Sequence, residues 1–302
     1  MTETPEVVVE RVAGVVGAHA KDNLSAPRGA AISAIGFASR RVAAGGETLF
    51  SMSLSAAQKV LEGVDAADIR GVIAATFSGE NRFPALSVRL AAALALSPAI
   101  PAFDIQMACS AYPYALYLAG KLSADSGGRV LVVDGDMQSP LVDVADASTA
   151  PLFSDAATAS LVSTSKEGVS KFAFLSKASE ALTCPAAGPI KMDGFKVFSF
   201  VATDAVKLLR QFGTDFDWFV PHQANMYMVR QLAKSLSLES KLATCGEKYA
   251  NPGSCSIPLA LASREICGRA LVSGFGAGLS ASVGLVRVAE GAACGVAEGA
   301  DA

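Results

Sequence analysis

Four short segments of this 302-residue chain hold residue types able to act on a carbonyl carbon. Cys109 follows the apolar run AFDIQM and precedes a helical run. Its thiol is therefore expected where a strand meets a helix start, among free backbone N–H groups and the positive end of the helix dipole, a setting that lowers a thiol pKa and makes a nucleophile. The same position also fits a small buried hydrophobe, the common fate of a free cysteine. His222, one of two histidines, ends the apolar strand WFV within VPHQAN and stands just ahead of another helix. A histidine N–H can hold a carbonyl oxygen as charge develops on it, and strand ends at a sheet crevice are where α/β proteins place reactive groups; a structural core histidine would look the same. Asn251, in the Pro- and Gly-containing turn YANPGSCSIP, reads by itself as an ordinary turn residue. The cluster SGFGAGLSASVG is either a tight turn or a backbone N–H presented as half of an oxyanion hole.

The elements that must position these groups alternate between helix and strand. Ser53 to Glu62 has helical spacing after a serine start, Ile69 to Ala75 is a short buried strand, Leu86 to Leu96 is helical, and AFDIQM is a strand. A helix over Tyr112 to Leu122 and the strand RVLVVDGD follow. The second half repeats the plan: KVFSFVATDAVKLLRQF helical, DWFVPH a strand, MYMVRQLAKSL and SIPLALASREI helical, RALVSGFGAG a strand turning at glycines. This succession is an α/β fold with buried sheets. Element order alone suggests two similar halves, 1–165 with the cysteine and 166–290 with the histidine and asparagine; 291–302, biased to Gly, Ala and Glu, is expected to be a flexible tail. The lone Trp218 starts an apolar strand and is expected in the core.

Composition narrows the function classes. A net charge of −3 offers no basic field for nucleic acid. Six cysteines without a CxxC pair or a His-rich neighbourhood argue against zinc or another metal. The acidic start MTETPEVVVERV lacks a signal-peptide pattern, so the expected location is cytoplasmic with reduced thiols. Mean hydropathy is +0.40, yet the uncharged stretch Ala270 to Val286, interrupted by glycines, falls short of the ~20 apolar residues a membrane span needs.

In combination the four segments resemble the ketoacyl-acyl carrier protein synthase III family, from about Ser33 to Val288. FDIQMACSAYPYAL is similar to the family's nucleophile segment, VPHQAN to its histidine motif, YANPGSCSIPLAL to its asparagine segment, and GFGAGLSASVGLVRV to its closing glycine strand. The resemblance implies a five-layered αβαβα thiolase-like fold and a homodimer, or a heterodimer with a related subunit. It implies that Cys109 accepts an acyl group from a thioester, with the N–H groups of Cys109 and Ala277 as oxyanion hole. His222 and Asn251 then stabilise the enolate formed when a malonyl thioester loses carbon dioxide, and the enolate attacks the acyl-cysteine to give a 3-oxoacyl thioester. No metal or organic cofactor is required. Phe83 matches a family position that limits the partner's acyl pocket, which points to a short or bent acyl group, while plain interface packing reads the same; Phe275 matches an aromatic position against the histidine, and both are expected at the substrate pocket.

The chain also departs from the family. In APRGAAISAIG, Ala30 and Ala34 stand where relatives hold the coenzyme A adenine with Trp and Arg; Met226-Tyr227 follows the His motif without the usual Arg, and Phe195 replaces an Asn. A carrier-protein-bound donor, or a small thioester held mostly by its acyl part, is therefore expected, with Arg230 and Lys234, one helical turn apart, as a basic patch for an acidic acyl carrier protein; a solvated helix face reads equally well for that pair. The segment between Ser154 and Lys191 looks trimmed, as if to open the substrate tunnel, and the pathway expected is a specialised lipid or polyketide type. Three functions stay open: decarboxylative condensation, acyl transfer from Cys109 to an oxygen or nitrogen acceptor, and an inactive partner subunit.

Overall fold

The computed structural model describes residues 1–23 and 35–299. Thirteen strands are found among them: β1 (Thr2–Val16), β2 (His19–Asp22), β3 (Ser39–Val42), β4 (Ile69–Ala75), β5 (Ala102–Ile105), β6 (Arg129–Asp136), β7 (Ala156–Ser176), β8 (Leu182–Thr183), β9 (Lys191–Met192), β10 (Trp218–Pro221), β11 (Gly268–Gly276), β12 (Ser280–Val288) and β13 (Ala293–Glu298). The α-helices are α1 (Leu49–Leu61), α2 (Leu86–Ala93), α3 (Ala111–Ser126), α4 (Gly194–Phe200), α5 (Val206–Leu209), α6 (Met226–Leu236), α7 (Gly246–Tyr249) and α8 (Ser256–Ala262).

Nine strands form one hydrogen-bonded network in the order β10-β11-β12-β1-β7-β6-β4-β5, with β13 added to β1. Its axis is the antiparallel β1–β7 ribbon, which runs from Thr2 opposite Phe172 to Val16 opposite Ala156. The first half of β7 pairs with β6, and its last residues pair with β12. Between them the register slips, from Val169 opposite Pro5 to Ser165 opposite Glu6. The division expected at residue 165 thus falls inside a strand, at a bulge where the chain passes from one sheet layer to the other; bulges bend and twist a strand in this way.

Three apolar clusters build the layers. The central one joins α3 (Tyr112, Leu116, Ala119) and α8 (Ile257, Leu259, Leu261) to strands of both sheet halves. A second packs α1 and α2 on the outer face of β4, β6 and β7, and a third packs the 194–212 run and α6 on the outer face of β11 and β12. Helix, sheet, helix, sheet, helix is the five-layered αβαβα arrangement. The seven residues of α8 are all buried, as a helix between two sheets must be.

Strand β4, strand β6 and helix α6 keep the limits their sequence pattern indicates. Helix α1 begins four residues earlier than Ser53, because Thr48 caps it: its hydroxyl accepts from Ser51 N–H, and the Ser51 hydroxyl answers from the Thr48 N–H. The run 196–212 is continuous but changes pitch at a π turn over Val201–Ala205. Over its described part the expected flexible tail is corrected, since β13 pairs in parallel with β1, from Val12 opposite Ala293 to Val16 opposite Glu298; residues 300–302 lie outside the described residues. No helix among the described residues is long and apolar enough to cross a membrane.

Candidate active site

Cys109 sits in a 3-10 turn (Ala108–Ser110) between β5 and α3 and is 5% exposed. Ala108 holds this turn with φ of 43°, a left-handed conformation costly for a residue other than glycine. Strand β11 presses on the turn closely enough to explain its glycines: a β-carbon on Gly274 would lie 2.6 Å from Ser110 Cα, and one on Gly276 would lie 2.8 Å from Cys109 Cβ. Strand β12 fastens the same turn, with Ser282 Oγ donating to Ser110 O at 2.7 Å and Ser280 Oγ 2.6 Å from Ser110 Oγ.

The thiol is not acidified. Burial pushes the Cys109 thiol up to about 12, Asp136 adds to the rise, and only then do backbone N–H groups of Ala277 and Cys109 pull it back. The expected lowering by the helix start is corrected: dehydration outweighs a partial charge, as it does for most buried ionisable groups. Those two N–H groups nevertheless favour charge at the sulfur. Beneath it lie two buried carboxyls. Asp136, raised to about 6 chiefly by burial, accepts through one oxygen from Thr76 Oγ1, Phe77 N, Ser78 N and Ser78 Oγ at 2.8–3.1 Å. Asp134 has no hydrogen-bond partner on either oxygen among the described residues. Burial, then Asp136, holds it well above the usual carboxylate range, while the nearby Ser254 hydroxyl pulls down without reaching hydrogen-bond geometry.

His222 follows β10 and is 1% exposed; burial pushes it down to about 4, against a backbone hydrogen bond with Gly253. The ring is neutral near pH 7. Its Nδ1 lies 2.9 Å from Ser256 Oγ, which already accepts from Gln223 N–H at 3.0 Å. The serine's own hydrogen can then be given to Nδ1, and in that arrangement the ring proton sits on Nε2. Phe275 meets the imidazole edge-on at 5.4 Å. Asn251 is buried, with Oδ1 accepting from Gly253 N at 2.9 Å and Nδ2 donating to Ala224 O at 3.2 Å. Gly253 therefore joins the imidazole and the carboxamide, and Ser254, two residues before Ser256, accepts from Tyr112 N–H at the start of α3.

A cavity of about 1170 Å³ opens onto Cys109 and Ala277. Among the described residues, its lining includes neither His222 nor Asn251. Asn251 lies directly behind its wall: Gln138 and Phe153, which do line it, contact Asn251 through its backbone. Phe275 is fully buried behind the nucleophile and does not line the cavity, which corrects its place as a pocket residue. Phe83 is 86% exposed and takes no part in the cavity of its own chain. On α6, Arg230 is engaged with Glu247 at 3.2 Å, and Lys234 is exposed one turn on. Met226 is buried, Tyr227 stacks on Phe198, Phe195 is largely exposed, and Trp218 is partly buried against the central cluster. Ala30 and Ala34 lie outside the described residues.

The sequence profile of 3-oxoacyl-(acyl-carrier-protein) synthase III matches residues 103–178, and that of the C-terminal part of the same family matches residues 213–288. The β-ketoacyl-(acyl-carrier-protein) synthase III of Shewanella oneidensis is 34% identical over 284 residues, spanning 83% of this chain and 88% of that protein. The chain belongs to the 3-oxoacyl-(acyl-carrier-protein) synthase III family. Solved structures agree. A 3-oxoacyl-(acyl-carrier-protein) synthase from Burkholderia xenovorans superposes with a TM-score of 0.91 at 26% identity, covering 98% of both chains. The priming β-ketosynthase of the R1128 polyketide pathway does so at 0.84 and 27%, covering 96% of this chain and 98% of its own. The family's thiolase fold is the fold found here.

Within this synthase III fold, Ser256 and Gly253 are site residues that motif reading passed over. Their signal was present: a serine just past a Pro-Gly turn, at the first position of a helix, is placed to orient whatever precedes the facing helix.

Proposed function

We propose that this synthase III family member forms an acyl-thioester on Cys109 and uses it in a decarboxylative condensation. One observation carries the reading: Ala277 and the buried Cys109, whose backbone N–H groups both favour charge at the sulfur, open onto the same cavity. Donors fixed in a dry site are what a tetrahedral thioester intermediate requires, and they need no reorganisation when charge appears. In the loading step the sulfur of Cys109 bonds to the acyl carbon, the donor thiol leaves, and the cysteine proton ends on it. In the second step a malonyl thioester loses carbon dioxide. Nε2–H of the neutral His222, with Asn251 beside it, holds the enolate oxygen; the new carbon–carbon bond then displaces the Cys109 thiolate.

The donors we assign are carrier-protein thioesters, with Arg230 and Lys234 as the basic contact and a dimer as the working form. The exposed Phe83 and the free edge of the sheet at β5 support a dimer. A specialised lipid or polyketide-type pathway is supported by the likeness to a priming ketosynthase. Acyl transfer to an oxygen or nitrogen acceptor is the second reading, favoured by one fact: the carboxamide of Asn251 is already engaged on both of its polar atoms.

Intact mass spectrometry separates the two. With acyl and malonyl carrier proteins, condensation requires an adduct on Cys109 that discharges with release of carbon dioxide. Cys109→Ala abolishes the adduct, and Asn251→Ala keeps it but stops decarboxylation. An adduct discharged only by an alcohol or amine supports the second reading instead.

A further inference from the structure

We infer that Asp134 is a positioning residue for the condensing step: through the Ser254 hydroxyl, its carboxyl ties the turn 253–255 to the start of α3. The inference rests on the reading of His222 and Asn251 as the groups that hold the enolate, and adds a residue that keeps them in place.

Location is the first reason. On β6, Val130 and Val132 belong to the central apolar cluster and Leu131 and Val133 to an outer one, so the two-residue period of a strand turns Asp134 and Asp136 toward the central layer as well. The two halves of the site meet there. The turn 253–255 approaches this face of β6 closely: a β-carbon on Gly253 would stand 3.6 Å from Asp136 Oδ2. Gly253 is bonded to both His222 and Asn251. Ser254 accepts at 2.6 Å from the N–H of Tyr112, in the first turn of the helix that follows Cys109.

Unmet hydrogen bonds are the second. Asp134 is 1% exposed, and neither of its carboxyl oxygens has a partner among the described residues. Nearby donors are committed elsewhere. The Tyr112 hydroxyl pairs with Ser160 at 2.9 Å, Thr158 Oγ1 donates to the main-chain carbonyl of Asp134 at 2.9 Å, and Cys255 Sγ donates to Thr158 at 3.6 Å. Ser254, also 1% exposed, is the exception. Its oxygen serves Tyr112, while its own hydrogen goes to no other group among the described residues. It lies near enough to act on the carboxyl, so rotating the two side chains satisfies both at once; buried polar groups are rarely left unpaired.

Charge state is the third. Burial and the neighbouring Asp136 keep Asp134 well above the usual carboxylate range, so near pH 7 it carries a proton and can donate one hydrogen bond as well as accept one. Asparagine has the same two capacities and the same shape; leucine has a similar shape and neither capacity. Loss of the link falls on the histidine side, because the Cys109 turn is fastened independently by Ser280 and Ser282 of β12.

The test compares Asp134→Leu and Asp134→Asn in the full-length protein. Intact mass follows formation of the Cys109 adduct from an acyl carrier protein, then its discharge by malonyl carrier protein with release of carbon dioxide. In Asp134→Leu, discharge is expected to slow at least about tenfold with loading within about threefold of wild type, and Asp134→Asn is expected to regain discharge to within about threefold. Discharge at the wild-type rate in Asp134→Leu, equal slowing of both steps, or Asp134→Asn as slow as Asp134→Leu overturns the inference and leaves the condensing reading standing. Should Asp134→Leu fail to fold, Ser254→Ala takes its place: the same selective slowing is expected, and discharge at the wild-type rate overturns the inference. No discharge by malonyl carrier protein in the wild type removes the condensing reading itself and the inference with it.

Discussion

Gly276 and Cys109 are in such close contact that a β-carbon on the glycine would sit 3.2 Å from the cysteine sulfur. The neighbouring residue on the same strand, Phe275, touches His222. Adjacent positions of β11 therefore bear on the nucleophile and on the imidazole. Gly276→Ala is expected to displace the sulfur and slow acyl loading about 100-fold, the usual result of an ångström-scale misplacement, with an overpacking cost of about 1–3 kcal/mol. Loading rates by mass spectrometry and thermal unfolding check this; loading at the wild-type rate would remove the contact from the argument.

A thiol raised to about 12 by burial makes a specific claim about pH. Only the thiolate reacts with iodoacetamide, so alkylation of Cys109 should accelerate about tenfold per unit between pH 7 and 10, without levelling off. A plateau near neutrality would mean that the helix start, and not dehydration, governs this sulfur.

His222 couples the site to acid stability. The imidazole titrates near 6.5 when exposed and at about 4 in the fold, so the unfolded chain binds the proton more readily. Its contribution is fully present above pH 6.5 and is lost as pH falls through that window to 4, amounting to about 3 kcal/mol. Melting temperatures of the wild type and His222→Gln, compared at pH 7 and 4.5, should show the wild type losing more. Asp136, raised to about 6, works in the opposite direction, and comparing the two proteins cancels it.

Ser256→Ala tests the assigned tautomer. It leaves both His222 Nδ1 and Gln223 N–H without the hydroxyl between them, a loss of about 1–3 kcal/mol for buried polar groups. Decarboxylation is expected to fall at least tenfold with loading rates little changed, and the pH profile of decarboxylation should shift. Equal losses in both steps would indicate a general packing role.

Much of this was legible beforehand. The ends of AFDIQM and WFVPH are where apolar alternation stops and helical spacing begins, and those two switches locate Cys109 and His222. The glycines of SGFGAG were visible too, though not their cause, which is the approach of another segment's backbone. Two things were hidden for physical reasons. The sign of the thiol shift depends on how deep the turn is buried and on Asp136, 27 positions away in the chain. The longest strands, β1 and β7, mix charged and apolar residues because each changes neighbours along its length, burying one stretch and exposing another; no single period describes them. The tail misled through composition alone, because Gly and Ala are as acceptable in a short added strand as in a frayed end.

The slip between Val169 and Ser165 leaves β7 unbroken while it serves both sheets. A molecule with one spine through both lobes has no swivel between them. Severing the chain there would not free two working fragments, and heating should melt cysteine and histidine lobes at one temperature, in a single calorimetric peak.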